Sequence, residues 1–270
     1  MQMEQNVELS FERIEMDSGS LQRLVRTDIY TINLDAETKQ VDLLLINDGQ
    51  DLVTMNFGSI LQQVNNVTPL RPLVVAAIHC GEDRRNEYGT IVTADYKGRG
   101  AKAGAYKNFI LQELMPMVYS RLSDYAIRDV SFAGFSLGGL SAFDIVWRHP
   151  GLFSKAGVFS GSFWWRTRSH EEKDYNPSTD RVMQNQVRNG SFHANLRFFF
   201  QCGAQDEESD RNRNGVIDSI DDTIDVMREL LRKGYKEGKH FVYLQMPDGK
   251  HDVPTWARAM PAFIKWGWAL

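Results

Sequence analysis

A chain of 270 residues with 42% hydrophobic and 24% charged residues has the make-up of a water-soluble globular protein able to bury a large core. Its formal net charge of −4 gives no electrostatic footprint for nucleic acid. Cys80 and Cys202 are too few for a disulfide framework and lack metal-site spacing, so both are expected to be buried free thiols.

The opening residues, MQMEQNVELSFERIEM, carry neither the basic start nor the apolar stretch of a secretory leader, so a cytoplasmic location is expected. No apolar run approaches the ~18 residues of a membrane span, and no membrane partner is expected. Leu21–Asp35 alternates apolar and polar residues, as an antiparallel edge hairpin would. Short apolar runs follow at Val41–Asn47, Leu73–His79, Asp129–Ala133, Lys155–Phe159, Leu196–Cys202 and His240–Met246. Helical periodicity marks Ala105–Leu122, Leu140–Arg148, Ile220–Gly234 and Thr255–Leu270. Strands alternating with helices predict an α/β fold, a mostly parallel central sheet covered on both faces. A single domain is expected over residues 1–270. Its least patterned stretch, the polar segment at about 166–195, reads as an insertion.

The chemistry is signalled by SFAGFSLGGLSAF, Ser131 to Phe143, which contains G-x-S-x-G with Ser136 at its centre. A predicted strand enters the motif and a predicted helix leaves it, the setting of a nucleophile elbow. Glycines at 134 and 138 let the backbone turn sharply, holding the serine hydroxyl above the strand ends at a helix N-terminus. Serine needs a base to take its proton and a carboxylate to orient that base. In the chain order Ser, acid, His, the acid follows a late strand and the histidine the last one. Asp206 follows Leu196–Cys202, with Glu207 beside it as the alternative acid; His251 follows His240–Met246. The other five histidines fit those positions less well.

Several ordered stretches together resemble the Putative esterase group of the α/β-hydrolases, which includes enterochelin, feruloyl and acetyl-xylan esterases. They are LLLINDGQDL, GEDRRNEYGT, YKNFILQELMP, GFSLGG, KAGVFSGSFWW, CGAQDE and GKHDVPTWARAMPAFIKW, spread from about Leu21 to the C-terminus. The resemblance implies an α/β-hydrolase fold and carries over Ser136 as nucleophile, Asp206 as acid and His251 as base. It further implies an oxyanion hole from the backbone N–H groups of Leu137 and Gln50. The expected activity is that of a serine carboxylic-ester hydrolase working on a small-molecule ester through an acyl-enzyme, with no organic cofactor. Acyl transfer on the same scaffold, or a non-catalytic binding module, are the alternatives.

Four further features have possible ties to the site. Arg84, Arg85 and Tyr88 follow an early strand and are expected at the pocket edge, where they could bind an anionic or sugar-like group or form a solvated loop. Phe163, Trp164 and Trp165 could line an apolar wall or pack locally. Asp210, Asn212, Asn214, Asp218 and Asp221, with Gly215 at the sixth position, have the oxygen spacing of a calcium loop; the other reading is an Asx-rich turn capping the next helix. The glycine-rich YKGRGAKAGAY lacks the Lys-Ser/Thr of a phosphate loop and is expected to be a flexible loop over the pocket.

Overall fold

A computed structural model describes residues 9–270. Its centre is an eight-stranded sheet in the order β1-β2-β4-β3-β5-β6-β7-β8. The strands are β1 (Leu9–Ser18), β2 (Arg23–Ile32), β3 (Gln40–Asn47), β4 (Leu73–Ile78), β5 (Ala126–Phe135), β6 (Lys155–Phe159), β7 (Arg197–Gln205) and β8 (Phe241–Lys250). β1 and β2 pair antiparallel, β2 pairs antiparallel with β4, and all pairings from β4 to β8 are parallel.

The helices are α1 (Gly49–Thr54), α2 (Phe57–Val67), α3 (Arg84–Glu87), α4 (Ala103–Asn108), α5 (Met115–Arg121), α6 (Leu137–Arg148), α7 (Pro177–Asp180), α8 (Val182–Asn189), α9 (Asp218–Arg232) and α10 (Val253–Trp268). A π-helical turn, Phe109–Leu114, joins α4 to α5. None of these helices is long and apolar enough to cross a membrane.

The uninterrupted apolar strands are explained by burial on both faces. In β3, Leu43 and Leu45 belong to one core cluster and Leu44 and Ile46 to the other; in β4, Val74 and Ala76 alternate with Val75 and Ala77. The first cluster takes its helical cover from α4, α5, α6, α8 and α9, the second from α2 and α10. Because all parallel strands point the same way, the loops after β3, β5, β6, β7 and β8 gather along one rim, where ligands bind in such sheets.

Three expectations change. The alternating stretch at 21–35 is not itself a hairpin: β2 is paired on both sides, and the edge strand is the earlier β1. The segment at 166–195 contains α7 and α8, and Arg181 at the head of α8 docks it onto α9 through the buried Asp222. The loop preceding α4 is not loose, because buried Asp95 accepts from the backbone of Lys97 and Arg99 and pairs with the Arg99 guanidinium.

Candidate active site

Ser136 lies between the last residue of β5 and the first of α6, with φ 54° and ψ −119°, a backbone region that L-residues rarely adopt. The two motif glycines make that turn sterically feasible. A Cβ on Gly134 would lie 2.5 Å from the carbonyl carbon of Gly138, and one on Gly138 would lie 2.6 Å from Oδ2 of Asp48. The Ser136 amide donates to Phe159 O at 2.8 Å, anchoring the turn to the end of β6. The Ser136 side chain is left half-buried, its Oγ 3.4 Å from Ser162 Oγ.

Asp206 is the first residue after β7, and His251 the first after β8, directly ahead of α10. The strand register sets them side by side, since Gln205 pairs with Lys250 across the β7–β8 ladder. Both carboxylate oxygens of Asp206 are buried with no hydrogen-bond partner. Burial pushes the Asp206 carboxyl above its usual range, and the charge of His251 pulls it back. His251 has an exposed edge, yet loss of hydration around the ring holds its pKa below the ordinary imidazole value. Arg84 acts in the same direction, against Asp206 and Asp252. The ring stands edge-on to Trp256, centroids 5.4 Å apart, and Trp256 stacks at 4.9 Å on Phe135, the residue before the serine. The aromatic sequence Phe135, Trp256, His251 thus connects the nucleophile turn to the histidine. Glu207, the alternative acid, is half-buried beside Asp206, and burial pushes its carboxyl above its usual range.

Gln50 and Leu137 each sit in the first turn of a helix, α1 and α6, where backbone N–H groups have no intrahelical acceptor. Their two loops are bound together: the Asn47 side-chain amide donates to Gly138 O at 2.8 Å. Asp48 adopts a left-handed conformation (φ 61°) at the head of α1, and its fully buried carboxylate receives both arms of Arg84.

The pocket-edge residues separate on inspection. Arg85 is exposed, and Trp164 is half-buried beneath the Arg99 guanidinium, 4.5 Å above its ring. Tyr88 and Trp165 are fully buried, which corrects the expectation that they face a ligand. Tyr88 accepts the Asp48 amide N–H on its hydroxyl oxygen, and Trp165 donates to Thr93 O while packing against Gly89 and Gly100. Arg84 is likewise committed to Asp48. Cys202 is buried, as expected; Cys80 is only half-buried.

The calcium-type loop is closed by its own hydrogen bonds. Asp210 accepts from the Asn214 and Gly215 amides, Asp221 from the Asn212 and Asn214 side chains, and Asp218 faces Arg211 at 3.3 Å. Among the described residues no group of three or more His, Cys, Asp or Glu side chains converges as metal ligands would. The loop's carboxylates are thus engaged by N–H donors and a guanidinium.

Ser160, Ser162 and Asp48 were not singled out in the sequence, although SGS directly after a strand and ND directly before a glycine mark turns at the same rim. A cavity of about 580 Å³ lies elsewhere, lined by Trp147, Gln186 and His193 among others, and none of Ser136, Asp206 and His251 borders it.

Residues 18–266 match the family described as Putative esterase. The chain belongs to that family. No curated protein sequence matches it significantly. The fold is that of an α/β-hydrolase, and solved structures share it. An IroE-like serine hydrolase from Shewanella oneidensis is 19% identical, with 95% of this chain and 79% of that one aligned at a TM-score of 0.71. The enterobactin esterase FES from Shigella flexneri, in the presence of enterobactin, is 20% identical over 94% of this chain, also at 0.71. This chain spans only 57% of that esterase's length. The siderophore hydrolase EstB from Aspergillus nidulans is 17% identical, with 95% and 94% of the two chains aligned at 0.66.

Proposed function

We propose that the protein is a serine carboxylic-ester hydrolase with Ser136 as nucleophile, His251 as general base and acid, and Asp206 as the residue that orients the imidazole. The observation that carries this reading is the strained backbone of Ser136 at the β5–α6 turn, on the same rim as the paired ends of β7 and β8.

In the first half-reaction Ser136 Oγ attacks the ester carbonyl carbon and its proton passes to His251. The carbonyl oxygen takes up negative charge and is received by the amides of Gln50 and Leu137, donors already fixed at helix N-termini. Collapse breaks the ester C–O bond, and the alcohol leaves with the proton from His251. Water then gives a proton to His251 and attacks the acyl carbon; Ser136 departs with that proton and the acid is released. Asp206 steadies the imidazolium in both halves.

The substrate is a small-molecule ester. Two similar structures are named for hydrolysing enterobactin and siderophores, so a siderophore ester is the first natural substrate to assay. The reading is tested by a pre-steady-state burst of p-nitrophenol from an activated ester. One equivalent per chain is expected for the wild type and none for Ser136→Ala.

A further inference from the structure

Between α8 and α9 lies a groove of about 310 Å³ that none of Ser136, Asp206 and His251 borders. Arg181 and Arg188 line it from the α8 side and Arg228 and Arg232 from α9; the other charged residues lining it are Asp225 and Glu229. Four guanidinium groups against two carboxylates leave a surplus of two positive charges in one concave place, on a chain whose net charge is −4. Glu229 is nearly buried, and its Oε1 accepts from Arg188 Nη2 at 2.7 Å and Arg232 Nη1 at 2.6 Å. Asp225 accepts from Arg181 and from Arg228 Nη1 at 2.7 Å. Asp222, outside the groove and fully buried, is shared between Arg181 and Arg211. Among the described residues, Arg228 and Arg232 thus meet one carboxylate each, through Nη1, and their side chains are 60% and 67% exposed. Most of the five N–H groups of each guanidinium remain uncommitted. The two arginines also stand four residues apart on α9, where like charges repel.

We propose that this groove binds a phosphate dianion, free or carried as a small phosphate monoester, on the open N–H edges of Arg228 and Arg232. A charge of −2 cancels the surplus and leaves the pairs with Asp225 and Glu229 in place. It also turns the repulsion between the two exposed arginines into a shared attraction. The cations lining the groove are all arginine, whose planar fork matches phosphate oxygens two at a time. A monocarboxylate would supply half the charge. The site is independent of the ester chemistry.

The test is calorimetric titration of the full chain with inorganic phosphate, glycerol 3-phosphate, acetate and chloride at constant ionic strength, which removes general screening. Saturable binding of one phosphate per chain is expected, with acetate far weaker. Arg228→Gln combined with Arg232→Gln should weaken phosphate about a hundredfold, roughly tenfold for each charge-assisted hydrogen bond lost. Its Tm without phosphate should hold, because two mutually repelling charges are removed. Arg228→Lys with Arg232→Lys keeps the charge and loses the forks; a smaller loss is expected, and this variant carries the test if the glutamine pair does not fold. Affinity should also fall between about pH 8 and about pH 5, as the dianion takes up a proton near pH 6. Glycerol 3-phosphate binding at least as tightly as phosphate assigns the ligand to a monoester; weaker binding assigns it to the free anion. Phosphate heats no larger than those of chloride, or undiminished affinity in the folded glutamine variant, overturn the site. Equal affinity for acetate, or an affinity unchanged across that pH range, overturns the dianion.

Discussion

Arg84 grips the buried carboxylate of Asp48 with two parallel hydrogen bonds, Nε to Oδ1 at 2.7 Å and Nη2 to Oδ2 at 2.8 Å. The same Nη2 reaches Phe135 O at 3.3 Å, so one guanidinium ties the turn that presents Gln50 to the strand that presents Ser136. Fork-to-fork pairing of this kind fixes orientation as well as charge.

Arg84→Met should therefore damage both stability and chemistry. It strands a carboxylate that is 0% exposed, and unfolding titrations should show a loss of roughly 3–5 kcal/mol, as for other broken buried pairs. With Asp48 released, the Gln50 amide loses its fixed aim, and kcat should fall by about two orders of magnitude, comparable to removal of an oxyanion donor. Unchanged kcat in a folded variant would separate Arg84 from the oxyanion turn.

The low pKa of His251 sets the pH response. The base must be unprotonated to accept from Ser136, so activity rises as pH climbs through that pKa. Desolvation, aided by Arg84, holds it below ordinary, and the acid limb of kcat/KM should have its midpoint below about 6.5. Asp252→Asn removes a charge that favours the imidazolium and should shift the limb lower still, while keeping an acceptor for the Thr255 amide at the start of α10. A midpoint above the ordinary imidazole value would contradict the electrostatic account.

The turn itself can be probed without touching the serine. Gly134→Ala brings a methyl group to 2.5 Å from backbone that is part of the turn and the helix following it, so no side-chain rotation can relieve the clash. The expected cost is about 2–4 kcal/mol with severe loss of turnover. A variant of wild-type stability and activity would show that the elbow is looser than its geometry.

The loop from Asp210 to Asp221 provides a test of a different kind. Since its carboxylates are occupied by N–H donors and Arg211, chelator or millimolar calcium should leave Tm and turnover unchanged. A calcium-dependent rise in Tm would mean that Arg211 and the asparagine amides rearrange to admit the ion.

The fold was readable from sequence because strands buried on two faces must be apolar throughout, and the helices between them carry their own period. Sequence periodicity falters where tertiary contacts decide. β2 alternates because one of its faces is open at the start of the strand, with Leu24 and Arg26 exposed beside buried Val25 and Thr27, although both of its edges are paired; α8 looks polar because Arg181 at its head and Arg188 face carboxylates on α9. At the site, Ser136, Asp206 and His251 stand out in the sequence as candidates because each follows a strand, and the structure places each directly after a strand. Tyr88 and Trp165 could not be placed, because an aromatic beside a pocket and one beneath it have the same sequence signature. Ser160 was invisible for another reason: its left-handed backbone and its bond to Trp256, 96 positions away, exist only in the folded chain.

The central claim, that Ser136 is the nucleophile, is tested most directly by intact-protein and peptide mass spectrometry after brief exposure to a small fluorophosphonate. The account predicts one adduct per chain, located on Ser136, with esterase turnover lost in step and no adduct on Ser136→Ala. Turnover of p-nitrophenyl esters by a chain that takes no label at Ser136, or undiminished turnover in Ser136→Ala, would contradict it.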